Sequence, residues 1–364
     1  MTSSRIALEV TGLGLFPVCF NQEATLLARA VIRQSGVSPL TSLIRFGVRI
    51  EGRLETEKLR EALLKLVTRH PALRSSFSEN VLLFPQERQA RLEAFKRTGV
   101  FEQGLFVQRV HEPAAPPIIE ADWTGMHEAE QDGALLRLLQ NLDSQLFNAS
   151  DTLRIRMSFI RKGLDHALLI LVCDHLVFDG FSEGVIRKEL EYLLCGQSER
   201  EGHHGADETP LGFHSFAAWQ RQTLPTPYFR RSIIFWRDQW ARFARYRISF
   251  EDLSFSRPAT QPLDSSFATE RLYLNKEEAN TLKAFARNRR STLFTVFLAA
   301  FAIVLSDYTS RSSVVIWSHF VNRVRLGSMG SVGSFANTHI LGIDLSAALT
   351  RTSFSMSVAL SLWR

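Results

Sequence analysis

Apolar and polar residues follow one another along this chain in two rhythms, and the switches between them mark out its elements. Ile44, Phe46, Val48 and Ile50 alternate with Arg45, Gly47, Arg49 and Glu51. That period of two predicts a half-buried strand. Leu59, Ala62, Leu63, Leu66 and Val67 then recur at helical spacing, and Pro71 stops the helix near His70. Leu153, Ile155, Met157 and Phe159 alternate again, a Lys162-Gly163-Leu164-Asp165 turn follows, and residues 167–173 are an unbroken apolar run. Such a run predicts a strand covered on both faces. After Asp179-Gly180 the helical rhythm returns over 181–194.

The polar stretch that begins at Gly196 reads as a linker, so the chain divides into residues 1–195, a linker 196–212 and residues 213–364. Beyond it lie a Trp-rich helical stretch (Trp219, Trp236, Trp240), a strand around 268–274 and a helix over 276–289. A helix capped by Ser291 comes next. Its apolar run, 293–305, is too short to span a bilayer and predicts a buried helix. Strands over 313–319 and 340–345 complete the pattern. No repeat shows at periods of about 20–50 residues. The alternation of strands and helices predicts an α/β (or α+β) fold, with two similar lobes.

Composition narrows the class. The 364 residues are 45% apolar and 22% charged, an ordinary globular balance, and long enough for two lobes with cores of their own. Lys and Arg exceed Asp and Glu by 43 − 37 = 6, too thin a surplus to call for nucleic acid. Cys19, Cys173 and Cys195 make no disulfide framework, which points to a reducing compartment. No basic-then-apolar leader opens the chain. A cytoplasmic monomer with no membrane contact is expected. His203 and His204 lie in the polar linker without Cys or acidic ligands at binding spacing, so they read as surface and no metal is expected. Arg287, Arg289 and Arg290 read as a solvated helix face, with docking of an acidic partner as the alternative.

Chemistry concentrates in Cys173-Asp174-His175-Leu176-Val177-Phe178-Asp179-Gly180-Phe181-Ser182. A His leaves the end of a buried strand, an Asp-Gly turn follows four residues later, and a helix begins. An imidazole titrating near neutrality at an element boundary suits general-base work. Asp179 would orient the turn, and Gly180 leaves room for close approach. The same residues also fit a buried His beside an ordinary turn. Cys173, on a buried strand, reads as inert packing. A Ser182–His175–Asp179 triad lacks the nucleophile-elbow context.

Four further segments share the order of a known family. The His175 stretch resembles the His-His-x-x-x-Asp-Gly core of condensation domains from nonribosomal peptide synthetases, and that of the single-His chloramphenicol-acetyltransferase-like acyltransferases. Arg69-His70-Pro71-Ala72-Leu73-Arg74-Ser75-Ser76-Phe77 is similar to the family's Arg-His-x-x-Leu-Arg-Thr-x-Phe motif. Phe213-His214-Ser215-Phe216-Ala217-Ala218-Trp219 resembles its Tyr-x-Asp-Phe-Ala-x-Trp segment, and Phe235-Trp236 the Tyr-Trp that follows. Val332-Gly333-Ser334-Phe335-Ala336-Asn337-Thr338 is similar to Ile-Gly-x-Phe-Val-Asn-Thr. Phe20-Asn21-Gln22-Glu23-Ala24 is a looser likeness of the opening motif.

The resemblance implies two chloramphenicol-acetyltransferase-like lobes in a V, with a tunnel entered by thioester-bound groups. The donor would be a phosphopantetheine thioester on an acyl or peptidyl carrier protein, or a CoA thioester, and the acceptor an amine or alcohol; no bound cofactor is implied. Carried over by position, His175 deprotonates or positions the nucleophile, and Asp179 is a structural acid held by an arginine, with Arg323 and Arg74 as candidates. Gly180 offers its backbone N–H to the developing oxyanion, and Asn337 is a second-lobe contributor to the cleft. The sequence departs from the family at three places. Asp174 replaces the first His, where strand alternation turns it away from the tunnel and its charge is placed to raise the pKa of His175. Trp317-Ser318-His319 stands where Gly-Thr-Pro is usual and would narrow a channel. Members also continue well beyond the Asn337 motif, so a second lobe that is incomplete at Arg364 is expected, and Met1 suits a free-standing protein or the start of an assembly line. The functions implied are a condensation-type acyltransferase, an acyl-CoA-dependent small-molecule O-acyltransferase, or a non-catalytic recruiting module.

Overall fold

The computed structural model describes residues 14–35, 43–80, 104–196, 210–223, 226–246 and 271–346, with positions 86, 89, 90 and 93. His203, His204 and most of the expected linker lie outside the described residues. In chain order the elements are β1 (Leu15–Pro17), α1 (Phe20–Ser35), β2 (Leu43–Glu51), α2 (Thr56–Arg69), β3 (Ser75–Glu79), β4 (Phe106–Val110), β5 (Ile118–Asp122) and α3 (Glu128–Ser144). They continue with β6 (Ile155–Arg161), β7 (His166–Asp174), α4 (Gly180–Cys195), α5 (Phe213–Thr223), α6 (Pro227–Phe243), α7 (Lys276–Asn288), α8 (Leu293–Thr309), β8 (Ser313–Phe320) and β9 (Asn337–Asp344). The fold is mixed α/β, as the alternation of rhythms predicts.

Two compact units form, residues 1–226 with Val321–Asn337, and Pro227–Phe320 with the residues from Thr338 onward. The grouping differs from the division at 196–212. Helix α5 sinks Phe213, Phe216 and Ala217 into the first unit's core, and Arg221 on its last turn ion-pairs with the buried Glu23 of α1. Val332 and Phe335 join the same core from far along the chain. Apolar side chains, rather than the polarity of the intervening stretch, decide which core a segment joins.

The first unit holds a three-stranded sheet, β1-β4-β3, and a four-stranded sheet, β2-β7-β6-β5, antiparallel except for the β5–β6 pair. Strand β7 is central, and alternation sends its side chains to two different cores. Leu169, Leu171 and Cys173 meet Leu59, Leu63 and Leu66 of α2 and Ile186 of α4. Ile170 and Val172 meet Leu142 and Phe147 on the other face, with Leu135, Leu138 and Leu139 of α3 beside them. The apolar run 167–173 is thus covered on both sides.

In the second unit, Leu298, Ala299 and Ala302 of α8 pack on Val314 and Ile316 of β8 and Leu341 and Ile343 of β9. Three expectations here need correction. The helix expected over 293–305 is not buried all round, because Phe294, Phe297, Phe301 and Val304 stay exposed. Its cap is Thr292, whose hydroxyl accepts the Thr295 N–H at 3.2 Å, not Ser291. Residues 271–274 show no strand, and 268–270 lie outside the described residues. Among the described residues, no single helix is long and apolar enough to cross a membrane.

Candidate active site

The site is built where β7 ends and α4 begins. Burial of both faces of β7 fixes the strand as far as Asp174. The chain then turns, with the Val177 N–H donating to the Asp174 carbonyl at 3.0 Å, and Leu176, Val177 and Phe178 drop into the core. His175 sits on this turn, half-buried between residues that are buried. Its imidazole finds no hydrogen-bond partner among the described residues.

Asp179 ends the turn as the N-cap of α4. Its Oδ1 accepts the Ser182 N–H at 2.8 Å and the Ser182 hydroxyl at 2.7 Å. Arg323 Nη2 donates to the same oxygen at 2.9 Å, and the backbone N–H groups of Phe335 and Ala336 donate to Oδ2 at 3.0 and 3.1 Å. Both ends of the Arg323–Asp179 pair are buried. Arg323 Nη1 donates to the carbonyls of Ser328 and Ser331, and the guanidinium lies 4.5 Å from the Phe181 ring centroid and 4.3 Å from that of Phe335. Burial pulls the Arg323 guanidinium below its ordinary pKa, and the charge of Asp179 opposes that shift. An ion pair this deep is tolerable because nearly every lone pair and proton has a partner.

Ser182 is drawn into the same knot. Its hydroxyl oxygen meets the Gly333 carbonyl at 3.0 Å and accepts the Gly333 N–H at 3.1 Å, while Arg323 Nη2 lies 3.0 Å away. That makes it a clamp between α4 and the 321–337 segment rather than a nucleophile. A Cβ on Gly333 would come within 2.5 Å of Phe213, so glycine is required there. Gly180 opens α4 and is exposed, and a Cβ there would meet nothing within 4 Å. Its N–H belongs to a helix end whose first donors lack intrahelical acceptors, which favours negative charge.

The remaining candidates lie elsewhere. Arg74 does not reach Asp179; it donates to the carbonyls of Val67, at 3.1 Å, and His111. Asp174 is fully buried and its carboxylate is occupied by Arg29, Arg154 and the Leu176 N–H, not by the imidazole beside it in sequence. Asn337 is the exposed first residue of β9, and Trp317 is an exposed residue of β8 in the second unit. The Arg69-His70 motif is a brace, since Glu189 of α4 accepts from Arg69 Nε at 3.0 Å and lies 2.9 Å from His70 Nε2. Burial raises the Cys173 thiol well above its ordinary pKa and pushes Cys19 up to about 11, so neither is a nucleophile. Sequence reading missed Arg29, Arg154 and Gln22. Arg154 alternates with apolar residues just as Arg156 does, so no local signal separates the buried arginine from the partly exposed one.

Comparison with known proteins identifies this arrangement. Residues 85–362 match the Condensation domain family model. The chain belongs to the condensation-domain family. It is 27% identical over 303 residues, 83% of its length, to phosphinothricin tripeptide synthetase PhsC of Streptomyces viridochromogenes, and covers 25% of that protein. It is 28% identical over 306 residues, 83% of its length, to cyclosporin synthetase simA of Tolypocladium inflatum, covering 2% of it. The chain thus spans a quarter or less of these curated relatives. Among solved structures it matches holo-AB3403, a four domain nonribosomal peptide synthetase bound to AMP and glycine, with TM-score 0.72 and 18% identity over 96% of this chain and 24% of that one. That likeness shows the fold, which is chloramphenicol-acetyltransferase-like. Condensation domains form amide or ester bonds by acyl transfer in peptide biosynthesis and work with substrates tethered through phosphopantetheine to carrier proteins.

Proposed function

We propose that this chain transfers an acyl or aminoacyl group from a thioester to an amine or hydroxyl, with His175 as the acid–base or positioning group. The observation that carries the reading is an imidazole with no hydrogen-bond partner among the described residues, held on a turn between the buried C-terminal end of β7 and the N-terminus of α4. The acceptor nitrogen or oxygen attacks the thioester carbonyl, forming a C–N or C–O bond. His175 takes the acceptor's proton, the carbonyl oxygen gains charge, the C–S bond breaks, and the proton goes to the leaving thiolate. The Gly180 N–H is suited to the oxyanion, where one preorganised donor contributes about 3 kcal/mol. Asp179, held by Arg323 and Ser182, keeps the turn and helix N-terminus in register.

The partners in this reading are a carrier protein presenting the donor and an amine or alcohol acceptor, met by a monomeric, cytoplasmic chain. A second reading, acyl transfer from CoA to a small alcohol, draws support from the single imidazole at the site. Mass spectrometry on the purified chain, given acyl-pantetheine and acyl-CoA donors with a panel of amines and alcohols, tests both. Acylated acceptor that disappears with His175→Ala is the expected outcome, and the preferred donor separates the readings. A folded chain that leaves every acceptor unmodified, and remains silent when extended past Arg364, would favour a recruiting module instead.

A further inference from the structure

The geometry points to Asp174 and Gln22 as positioning residues for His175, acting by clamping the backbone of Leu176 from both sides; the inference rests on the acyl-transfer reading above. Asp174 Oδ1 accepts the Leu176 N–H at 3.0 Å, and Gln22 Nε2 donates to the Leu176 carbonyl at 3.1 Å. Both side chains are buried. Each is held in turn. Asp174 takes Arg29 Nη2 at 2.6 Å on Oδ1, and on Oδ2 it takes Arg154 Nη1 at 3.0 Å and Arg29 Nη1 at 3.3 Å. Its own N–H donates to the Arg154 carbonyl at 3.1 Å. Arg154 is anchored on the carbonyls of Ser75, at 2.6 Å, and Asn148, at 2.7 Å, and on that of Ala149. Gln22 Oε1 accepts the Cys19 N–H at 3.0 Å.

The physical case follows from what His175 lacks. With no protein partner on its ring among the described residues, the imidazole is placed through its backbone. The residue after it has both its N–H and its carbonyl tied to buried side chains, one two residues back in the turn and one from α1. An Asp accepting the N–H two residues on is an Asx turn, a geometry that a short side chain with an oxygen at Asp174's reach can make. The two arginines explain why an acid fits: a neutral apolar residue would leave Arg154 buried and unpaired. Misplacement of a catalytic group by about 1 Å lowers rates by about 100-fold, so the clamp acts on turnover rather than on substrate affinity.

Three variants separate this from a purely structural role. Asp174→Asn and Asp174→Leu both remove the charge between the arginines, but the Asn amide oxygen still accepts from Leu176. Gln22→Leu leaves the ion pairs intact and cuts the clamp from the other side. The Gln22→Leu and Asp174→Leu chains are expected to lose kcat by about 10- to 100-fold with KM within about twofold. Asp174→Asn keeps kcat within about threefold although it melts as early as Asp174→Leu. The His175 imidazole resonances, assigned against His175→Ala, shift or broaden in both Leu variants and not in Asn. Equal turnover per folded molecule for Asn and Leu at 174, or wild-type kcat and unmoved resonances in Gln22→Leu, overturns the inference. Should Asp174→Leu fail to fold, Gln22→Leu alone decides. A wild-type chain with no transfer activity counts against the functional reading, and the imidazole resonances then decide the clamp.

Discussion

Two apolar runs, 167–173 in β7 and 293–305 in α8 (broken only by Thr295), read much alike in the sequence and are packed differently. Leu171 is fully buried between layers, whereas Phe301, on the outward face of α8, is 52% exposed. One ion pair from each unit shows the same contrast. Arg323–Asp179 is buried at both ends and joins a network of backbone donors, while Arg242–Asp344 lies at 3.5 Å with its side chains 63% and 36% exposed. Where a segment is covered on both faces, most polar groups near it are forced into partnerships, and the geometry that results is tightly constrained. Covered on one face only, a segment leaves its other face free to vary.

The sharpest test of that contrast is the pair of arginines. Arg323→Met leaves Asp179 buried with its cation gone and is expected to destabilise the first unit by about 3–5 kcal/mol and to abolish most transfer activity. Arg242→Met, at a solvent-screened pair, is expected to cost less than about 0.5 kcal/mol. Denaturant midpoints measure both, and similar losses would erase the distinction. Next in size, Leu171→Ala should cost about 3 kcal/mol and Phe301→Ala under about 1 kcal/mol. A large loss for Phe301→Ala would mean that the outward face of α8 is covered after all.

The histidines sharpen the comparison through pH. His214, tilted against Phe16 with ring centroids 4.6 Å apart, is pushed down to about 4, chiefly by burial and further by the charge of Arg74. Its folded value lies below the unfolded one near 6.5, so between those values the unfolded chain binds more protons. Stability is therefore full above about pH 6.5 and falls as the pH drops towards 4, by about 3 kcal/mol for this group. His214→Leu should flatten that part of the profile, and an unchanged slope would show that His214 is not its source. At the small end, Thr292→Ala removes the cap of α8 and is expected to cost about 1 kcal/mol, read as a lower melting temperature of the second unit.

Local rules made much of this molecule readable. The period of two at 44–50, the helical spacing at 59–67 and the strand–turn–helix around His175 depend on neighbours within a few residues. So does the Asp179 cap, because a side-chain oxygen at that place meets the Ser182 N–H three residues on. The elements that bear the site were therefore predictable with their boundaries nearly in place. Arg74 and Arg323 stood as equal candidates for Asp179, and nothing local could separate them. The pairing that forms spans 144 residues and exists because Phe335, Val332 and Gly333 carry that segment into the first unit's core.

The sequence by itself determined the alternation of strands and helices, the family motifs and the position of His175 at a strand end. Only the tertiary structure decided that Asp174 faces Arg29 and the buried Arg154, that Ser182 is a clamp, that α5 joins the first unit and that α8 is covered on one face. The reason is physical: hydrogen bonds within a turn or helix are set by spacing along the chain, whereas burial and ion pairing depend on which distant surfaces meet. An apolar run states that it needs cover, but the layers that supply it come from elsewhere in the fold.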